Sequence, residues 1–288
     1  MNRSIFPRMR GDSWTGMGLI LAGIAVVCAL SRAEAQAVDR RPARAETLFV
    51  YGPGGPLPAM RDAAVAFERD GGAHVAVTGG PTAPWLAKAR RDADVIFSGA
   101  ENMMSAYVKQ LADTAGAGGP LPGRIVESTV EPLYLRPVAI LVRPGNPRHI
   151  RRFEDLLRPG IRLLVVQGAG QTGLWEDVAG QRGRIADVRA FRKNIGSFAA
   201  NSGEAKAAWM ADTTFDAWLI WNIWQVANPT LADAVALRKP WVVYRDAGVA
   251  LTTKGSSRES ARRFLAFLRS PEGARIFRRW GWTTDHSR

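Results

Sequence analysis

The sequence predicts an α/β fold with a parallel sheet, and three observations carry that reading. Short apolar runs recur along the chain, helical patterns separate them, and glycine-rich loops follow several of them. The strand-like runs are Thr47–Tyr51, His74–Thr78, Val95–Ser98, Val138–Val142, Leu163–Gln167, Trp218–Trp221 and Gly248–Leu251. Strands separated by helices of about 10 to 15 residues build a parallel sheet covered by helices. The first helical stretch, PAMRDAAVAFERDGG, puts Ala63, Ala64 and Phe67 on one face, and Gly71-Gly72 stop it. The segment opening at Asn201 has an N-cap there and a capping partner at Glu204, and runs through Trp209. No internal repeat, low-complexity segment or helix-turn-helix pattern is present.

The N-terminus reads as an export signal. Arg3, Arg8 and Arg10 precede a 12-residue apolar run, Leu19–Leu30. Ala33-Glu34-Ala35 and Ala35-Gln36-Ala37 both fit A-x-A cleavage. A spanning anchor is the alternative, but the run is short for a bilayer, and no later stretch offers about 18 consecutive apolar residues. Residues 1–37 are therefore expected to be a cleaved signal peptide, with the mature chain exported. Cys28 is the only cysteine, and it lies inside the run. A lipid-attachment cysteine would want a small residue before it, where Val27 stands. The mature chain then has no disulfide, no thiolate metal site and no cysteine nucleophile, which suits an oxidising compartment.

The formal net charge is +13. Cleavage removes Arg3, Arg8, Arg10, Arg32, Asp12 and Glu34 and leaves +11. Such a charge points to nucleic acid, an anionic membrane surface or an anionic solute. Export argues against nucleic acid. The basic pairs, such as Arg90-Arg91 and Arg262-Arg263, are scattered and read as solvated faces.

The loops carry the chemistry. Ligands of open α/β sheets bind beyond the carboxyl ends of strands, where helix N-termini present N–H groups. Gly52–Pro56, Thr78–Thr82, Ser98–Asn102, Gly168–Gly173 and Asn201–Glu204 all stand there, rich in glycine and small hydroxyls. Together, on a basic exported chain, they favour an anion held by backbone N–H groups. Gly168-Ala-Gly170-Gln-Thr-Gly173 also fits G-x-G-x-x-G. A dinucleotide site wants an acid about 20 residues on, at a strand end. Asp187 is near in count, but GRIADVRAF reads as helix or loop. The motif also falls mid-chain, so no NAD or other cofactor is expected.

Enzymatic readings find little support. His74, His149 and His286 show no metal-ligand spacing. There is no G-x-S-x-G elbow, and nothing places a base for Ser98. Trp218, Trp221 and Trp224 read mainly as core, with stacking on a sugar or a quaternary amine as the alternative. Trp85 and Trp175 each follow a glycine-rich loop and are the better candidates for a cleft wall.

The segments YGPGGPLPAM, TGGPTAPW, DADVIFSGAENMM, GAGQTGLWED and FLAFLRSPEGARIFRRWGW resemble the accessory colonization factor C family. That family is a branch of the sulfate/molybdate-type periplasmic solute-binding proteins. The resemblance runs from about Thr47 to Thr283. It implies a two-lobed type 2 periplasmic-binding-protein fold, each lobe a mostly parallel sheet flanked by helices. Two hinge crossings are implied, near Pro132–Ile140 and Trp241–Gly248. Lobe one would hold 38–133 and 246–288, and lobe two 134–245. The resemblance further implies ligand contacts at Gly54, Gly55, Gly80, Thr82, Ser98 and Gly99 in lobe one. In lobe two it implies Gly170, Gln171, Thr172, Ser202 and Gly203, with Trp221 and Asn222 near the return. Molybdate-binding relatives usually offer a serine in the first loop, where this chain has Pro53-Gly54-Gly55. That departure makes a small organic acid a rival to a bare oxyanion. The expected protein is a non-enzymatic, metal-free monomer that hands a small anion to the membrane permease of an ABC transporter. An exported enzyme on the same fold, with a nucleophile–base pair in the cleft, is the alternative.

Overall fold

A computed structural model describes residues 46–112 and 121–283. The expected signal peptide, its cleavage sites, Cys28 and His286 lie outside the described residues.

The strands are β1 (Thr47–Gly52), β2 (His74–Gly79), β3 (Val95–Phe97), β4 (Glu131–Val142), β5 (Leu163–Val166), β6 (Ile195–Ala199), β7 (Ala217–Trp221), β8 (Asp233–Ala236) and β9 (Tyr244–Leu251). They join in the order β2-β1-β3-β9-β4-β7-β5-β6, with β8 also paired to β4. The helices that bear on the site are α1 (Leu57–Arg69), α2 (Ala83–Asp92), α3 (Glu101–Ala112), α4 (Leu174–Ala179), α5 (Ile185–Asn194) and α6 (Ser202–Ala211).

Both ends of the sheet are parallel, as the alternation predicts: β1 with β2 and β3, and β5 with β6 and β7. The middle is not. There β9 runs antiparallel to β3 and β4, and β4 antiparallel to β7 and β8. These antiparallel strands are the crossings between two mostly parallel half-sheets rather than steps of a βαβ series. Six of the first seven residues of β4, Glu131–Pro137, pair with β9 around a register shift at Leu133, and the last five, Val138–Val142, with β7. Pro137 marks the change of partner. Its ring cannot donate to a ladder, and its carbonyl accepts from the Asn222 amide at 3.1 Å.

The first half-sheet is covered on both faces, and strand periodicity sorts its residues between them. Leu48 and Val50 of β1, with Val95 and Phe97 of β3, face Ala63 and Phe67 of α1 and the C-terminal helix Glu259–Arg269. Phe67 meets Phe264 edge-on at 5.2 Å. Tyr51 and Ile96 point to the other face, toward Trp85 of α2 and Tyr107 of α3. In the second half-sheet all of β5 is buried. Phe153 stacks on Phe191 and on Trp241 there. Away from the loops, the fully buried Asp94 carboxylate binds Arg258 at 2.7 Å and Lys254 at 3.2 Å, and accepts from the Phe49 amide. It ties the start of β1 to the C-terminal segment.

β6 and β8 did not show as apolar runs. IGSFA is a half-exposed strand bonded on one side only, and DAVA is held by its ladder to β4. Neither has the buried side chains that make a strand legible. No helix among the described residues is long and apolar enough to cross a membrane.

Candidate functional site

A cavity of about 370 Å³ opens where the carboxyl ends of the parallel strands face each other. The β1–α1 loop lines it with Pro53, Gly54, Gly55 and Pro56, and the β2–α2 loop with Gly80, Pro81 and Thr82. Gly99 and Met103 follow β3. From the other side come Ala169 and Gln171 after β5, and Ala200, Asn201, Ser202 and Gly203 after β6. Arg136 of β4 and the indoles of Trp221 and Trp224 complete the wall.

The mouth of α6 is built by its cap. Asn201 accepts from the Glu204 amide at 3.0 Å, and Glu204 reaches back to the Ala200 amide at 3.2 Å. One of the helix's first N–H groups is thereby satisfied. Those of Ser202 and Gly203 have no partner within the helix, and both residues line the cavity. Gln171 is buried, and its amide donates to Ser202 Oγ at 2.6 Å. That bond leaves the serine's own hydrogen available to an acceptor, and Gln171 Oε1 has no hydrogen-bond partner among the described residues. The Gly168 loop is pressed against the β6–α6 loop: a Cβ on Gly168 would stand 2.5 Å from the Ala200 carbonyl.

Arg136 is the one charged side chain among the described lining residues. It is 4% exposed. Its guanidinium lies between two indoles, 4.5 Å from the Trp221 ring and 4.8 Å from that of Trp282. Nη1 donates to the Asp246 carbonyl at 2.7 Å, and Nη2 donates to the Gly99 carbonyl. Nε is buried without a hydrogen-bond partner among the described residues. Burial pulls the guanidinium's pKa down to about 9; the Asp246 charge opposes that fall, and the neighbouring Arg245 adds to it. The group still carries its charge at neutral pH.

Gly54, Gly55, Gly80, Thr82, Gly99, Gln171, Ser202, Gly203 and Trp221 thus meet at one cavity. Four other expected contacts stand elsewhere. Ser98 is fully buried behind Gly99 and donates its amide to Gly248. Gly170 faces α3: a Cβ there would meet Met103 at 3.3 Å and Ala100 at 3.4 Å. Thr172 is exposed on the outer side of its loop. Asn222 donates to the Gly281 carbonyl at 2.7 Å and pins the end of β7 to the C-terminal segment. Trp85 and Trp175, expected in the cleft wall, are core residues instead. Trp85 packs on Tyr51 and Tyr107, and Trp175 stacks on Phe191. Each sits just inside a helix with its ring packed toward the sheet, and the Trp85 indole N–H donates to the Gly80 carbonyl of the loop before it at 3.5 Å.

Arg136 is the main residue that motif reading missed. Its signal was a charge inside an otherwise apolar strand, LYLRPVAILV. Among the described lining residues there is no carboxylate, histidine or cysteine, and no group of potential metal ligands occurs among the described residues. Asp187 lies on α5, paired with Arg184, and not at a strand end.

The profile of bacterial extracellular solute-binding proteins matches residues 48–283. The solved structure of PEB3 from Campylobacter jejuni is 34% identical and superposes with a TM-score of 0.73, covering 83% of this chain and 100% of that one. PEB3 with bound L-phospholactate gives 0.74 at the same identity and coverage. Two more distant structures share the fold. The sulfate-binding protein SubI from Mycobacterium tuberculosis is 18% identical, with a TM-score of 0.67 over 83% of this chain and 87% of that one. The periplasmic molybdate-binding protein of Azotobacter vinelandii is 16% identical, with a TM-score of 0.60 over 83% and 100%. A comparison with curated protein sequences found no match. On the profile match and the likeness to PEB3, the chain belongs to the bacterial extracellular solute-binding proteins, built on the two-lobed type 2 periplasmic-binding-protein fold.

Proposed function

We propose that this protein captures a small organic anion, bearing carboxylate or phosphate, in the cavity between its lobes. The carrying observation is Arg136, a buried cation held rigid in a wall otherwise made of loops and uncharged side chains. The N–H groups at the start of α6 and the Ser202 hydroxyl offer further donors. Size separates the candidate ligands. One water occupies about 30 Å³ of liquid, so the cavity holds roughly a dozen such volumes. A five-atom oxyanion would leave most of that space unfilled. Prolines, Met103, Ala169, Ala200 and two indoles suit a carbon skeleton. The first loop offers no serine hydroxyl to a bare sulfate or molybdate. L-phospholactate, which PEB3 binds, has the size and charge that this wall would accept.

By this reading the solute passes to an ABC-type permease, and the protein works as an exported monomer after losing residues 1–37. The lobes divide near 133/134 and 245/246, within the two crossing strands. The quoted motifs, together with the likeness to PEB3, support placement in the accessory colonization factor C-like branch.

Calorimetry on the purified mature protein tests the ligand class. L-phospholactate, L-lactate, citrate, sulfate, molybdate and neutral sugars form the panel. Binding is expected for organic anions and not for sugars. Tight binding of a neutral sugar with no anion response would overturn the reading and make the indoles the main recognition surface.

A further inference from the structure

Behind the cavity wall lies a second charge that the wall does not show. Asp246 sits on β9, opposite Leu135 in the ladder, one step from Arg136. Its carbonyl accepts from Arg136 Nη1. Its Oδ2 is buried and has no hydrogen-bond partner among the described residues, as is true of Ser98 Oγ and Arg136 Nε. The first two of these atoms lie over Gly248: a Cβ there would stand 2.9 Å from Ser98 Oγ and 3.4 Å from Asp246 Oδ2. Glycine at 248 therefore leaves room for the carboxylate of Asp246, the residue whose backbone carbonyl holds the guanidinium.

We propose that Asp246 is the resident counter-ion of Arg136 and restrains the cleft's hold on anions. The inference rests on the reading of Arg136 as the anion's partner. A bound anion meets the field of both groups, and the carboxylate cancels part of the guanidinium's attraction. Affinity is then set more by hydrogen bonds and fit than by charge, and a transported solute stays releasable. The charge of Asp246 also acts on Arg136 directly, opposing the effect of burial on its pKa.

Two measurements decide this. The first uses the ligand-free protein and a double-mutant cycle. Arg136→Met leaves the half-buried Asp246, whose Oδ2 is buried, without its counter-charge, which is the costly way to break such a pair. Adding Asp246→Asn removes that charge, so the double variant should melt above Arg136→Met alone. A double variant that melts lower, by the sum of the single losses, would overturn the pairing. The second is calorimetry of Asp246→Asn with L-phospholactate and L-lactate. Removing one negative charge helps a ligand in proportion to its own charge. Affinity for L-phospholactate should rise at least tenfold, and that for L-lactate by less. Unchanged or weaker L-phospholactate binding by Asp246→Asn, with binding still lost in Arg136→Met, would sink the counter-ion and leave the anion reading standing. If Arg136→Met binds as the parent does, the anion reading itself fails, while the melting cycle still reports on the pair.

Discussion

Arg136 shows how much one side chain in the wall depends on what surrounds it. The two indoles fix the plane of its guanidinium, and the Gly99 and Asp246 carbonyls fix its rotation in that plane. A lysine keeps the charge but has neither the flat face nor the fork. Arg136→Lys should therefore lower L-phospholactate affinity at least tenfold, about 1.4 kcal/mol, by calorimetry. Full affinity in this variant would show that only charge matters at 136. Gly170 gives a second test at this scale. At φ +81° it holds a backbone shape that a β-branched residue resists, and its α-carbon faces Met103 and Ala100 across the cleft. Gly170→Val should weaken binding at least tenfold by propping the lobes apart, not by touching the ligand. Met103→Ala in the same chain should then restore part of the loss. Failure of that rescue would move the effect back to the loop's own conformation.

Among the elements, α6 carries the clearest consequence. Its cap residue, Asn201, also lines the cavity. Asn201→Ala removes the cap and should cost about 0.5–2 kcal/mol in urea unfolding. Asn201→Asp keeps a capping oxygen but loses the Nδ2 donation to Glu204 Oε1 at 2.7 Å, so some stability should be lost here too, and it sets a negative charge beside the Ser202 and Gly203 amides. Anion affinity should fall in Asn201→Asp more than in Asn201→Ala. The reverse order would mean that the anion sits away from this helix. The element was legible in the sequence because its signals are local: Asn201, Glu204 and the run to Trp209 stand within a few residues of one another. β6 and β8 were not, because pairing rather than side-chain pattern makes them strands.

At the scale of the whole molecule, the prediction concerns closure. The β5–α4 loop faces α3 through Gly170, and Gly55 of the first loop comes within 3.4 Å of Ile223, measured from a Cβ built on it. Both contacts link the two half-sheets and flank the cavity. Ligand should hold them together. Small-angle scattering is expected to show a smaller radius of gyration with saturating L-phospholactate than without. At a ligand concentration of 100 Kd the native state should gain about 2.7 kcal/mol, seen as a higher melting temperature. Stabilisation with no change in radius would mean that the lobes are already closed before binding.

What the sequence determined by itself is the local layer. Runs such as VYG and LLVV read as buried strands, because they set adjacent apolar side chains beside a glycine turn. The loops after them had to face one edge of a sheet, and nine of the expected contacts do line one cavity there. The direction of the side chains within those loops was beyond it. Ser98, Gly170, Thr172 and Asn222 belong to the same motifs as their neighbours, yet face a hinge strand, a helix, solvent and the C-terminal segment. The partnership of Arg136 with Asp246 and the two indoles was equally hidden. Those residues lie up to 146 positions apart in the chain, between 136 and 282. Only the two antiparallel crossings bring them together, and long-range pairing of that kind leaves no periodic trace in a sequence.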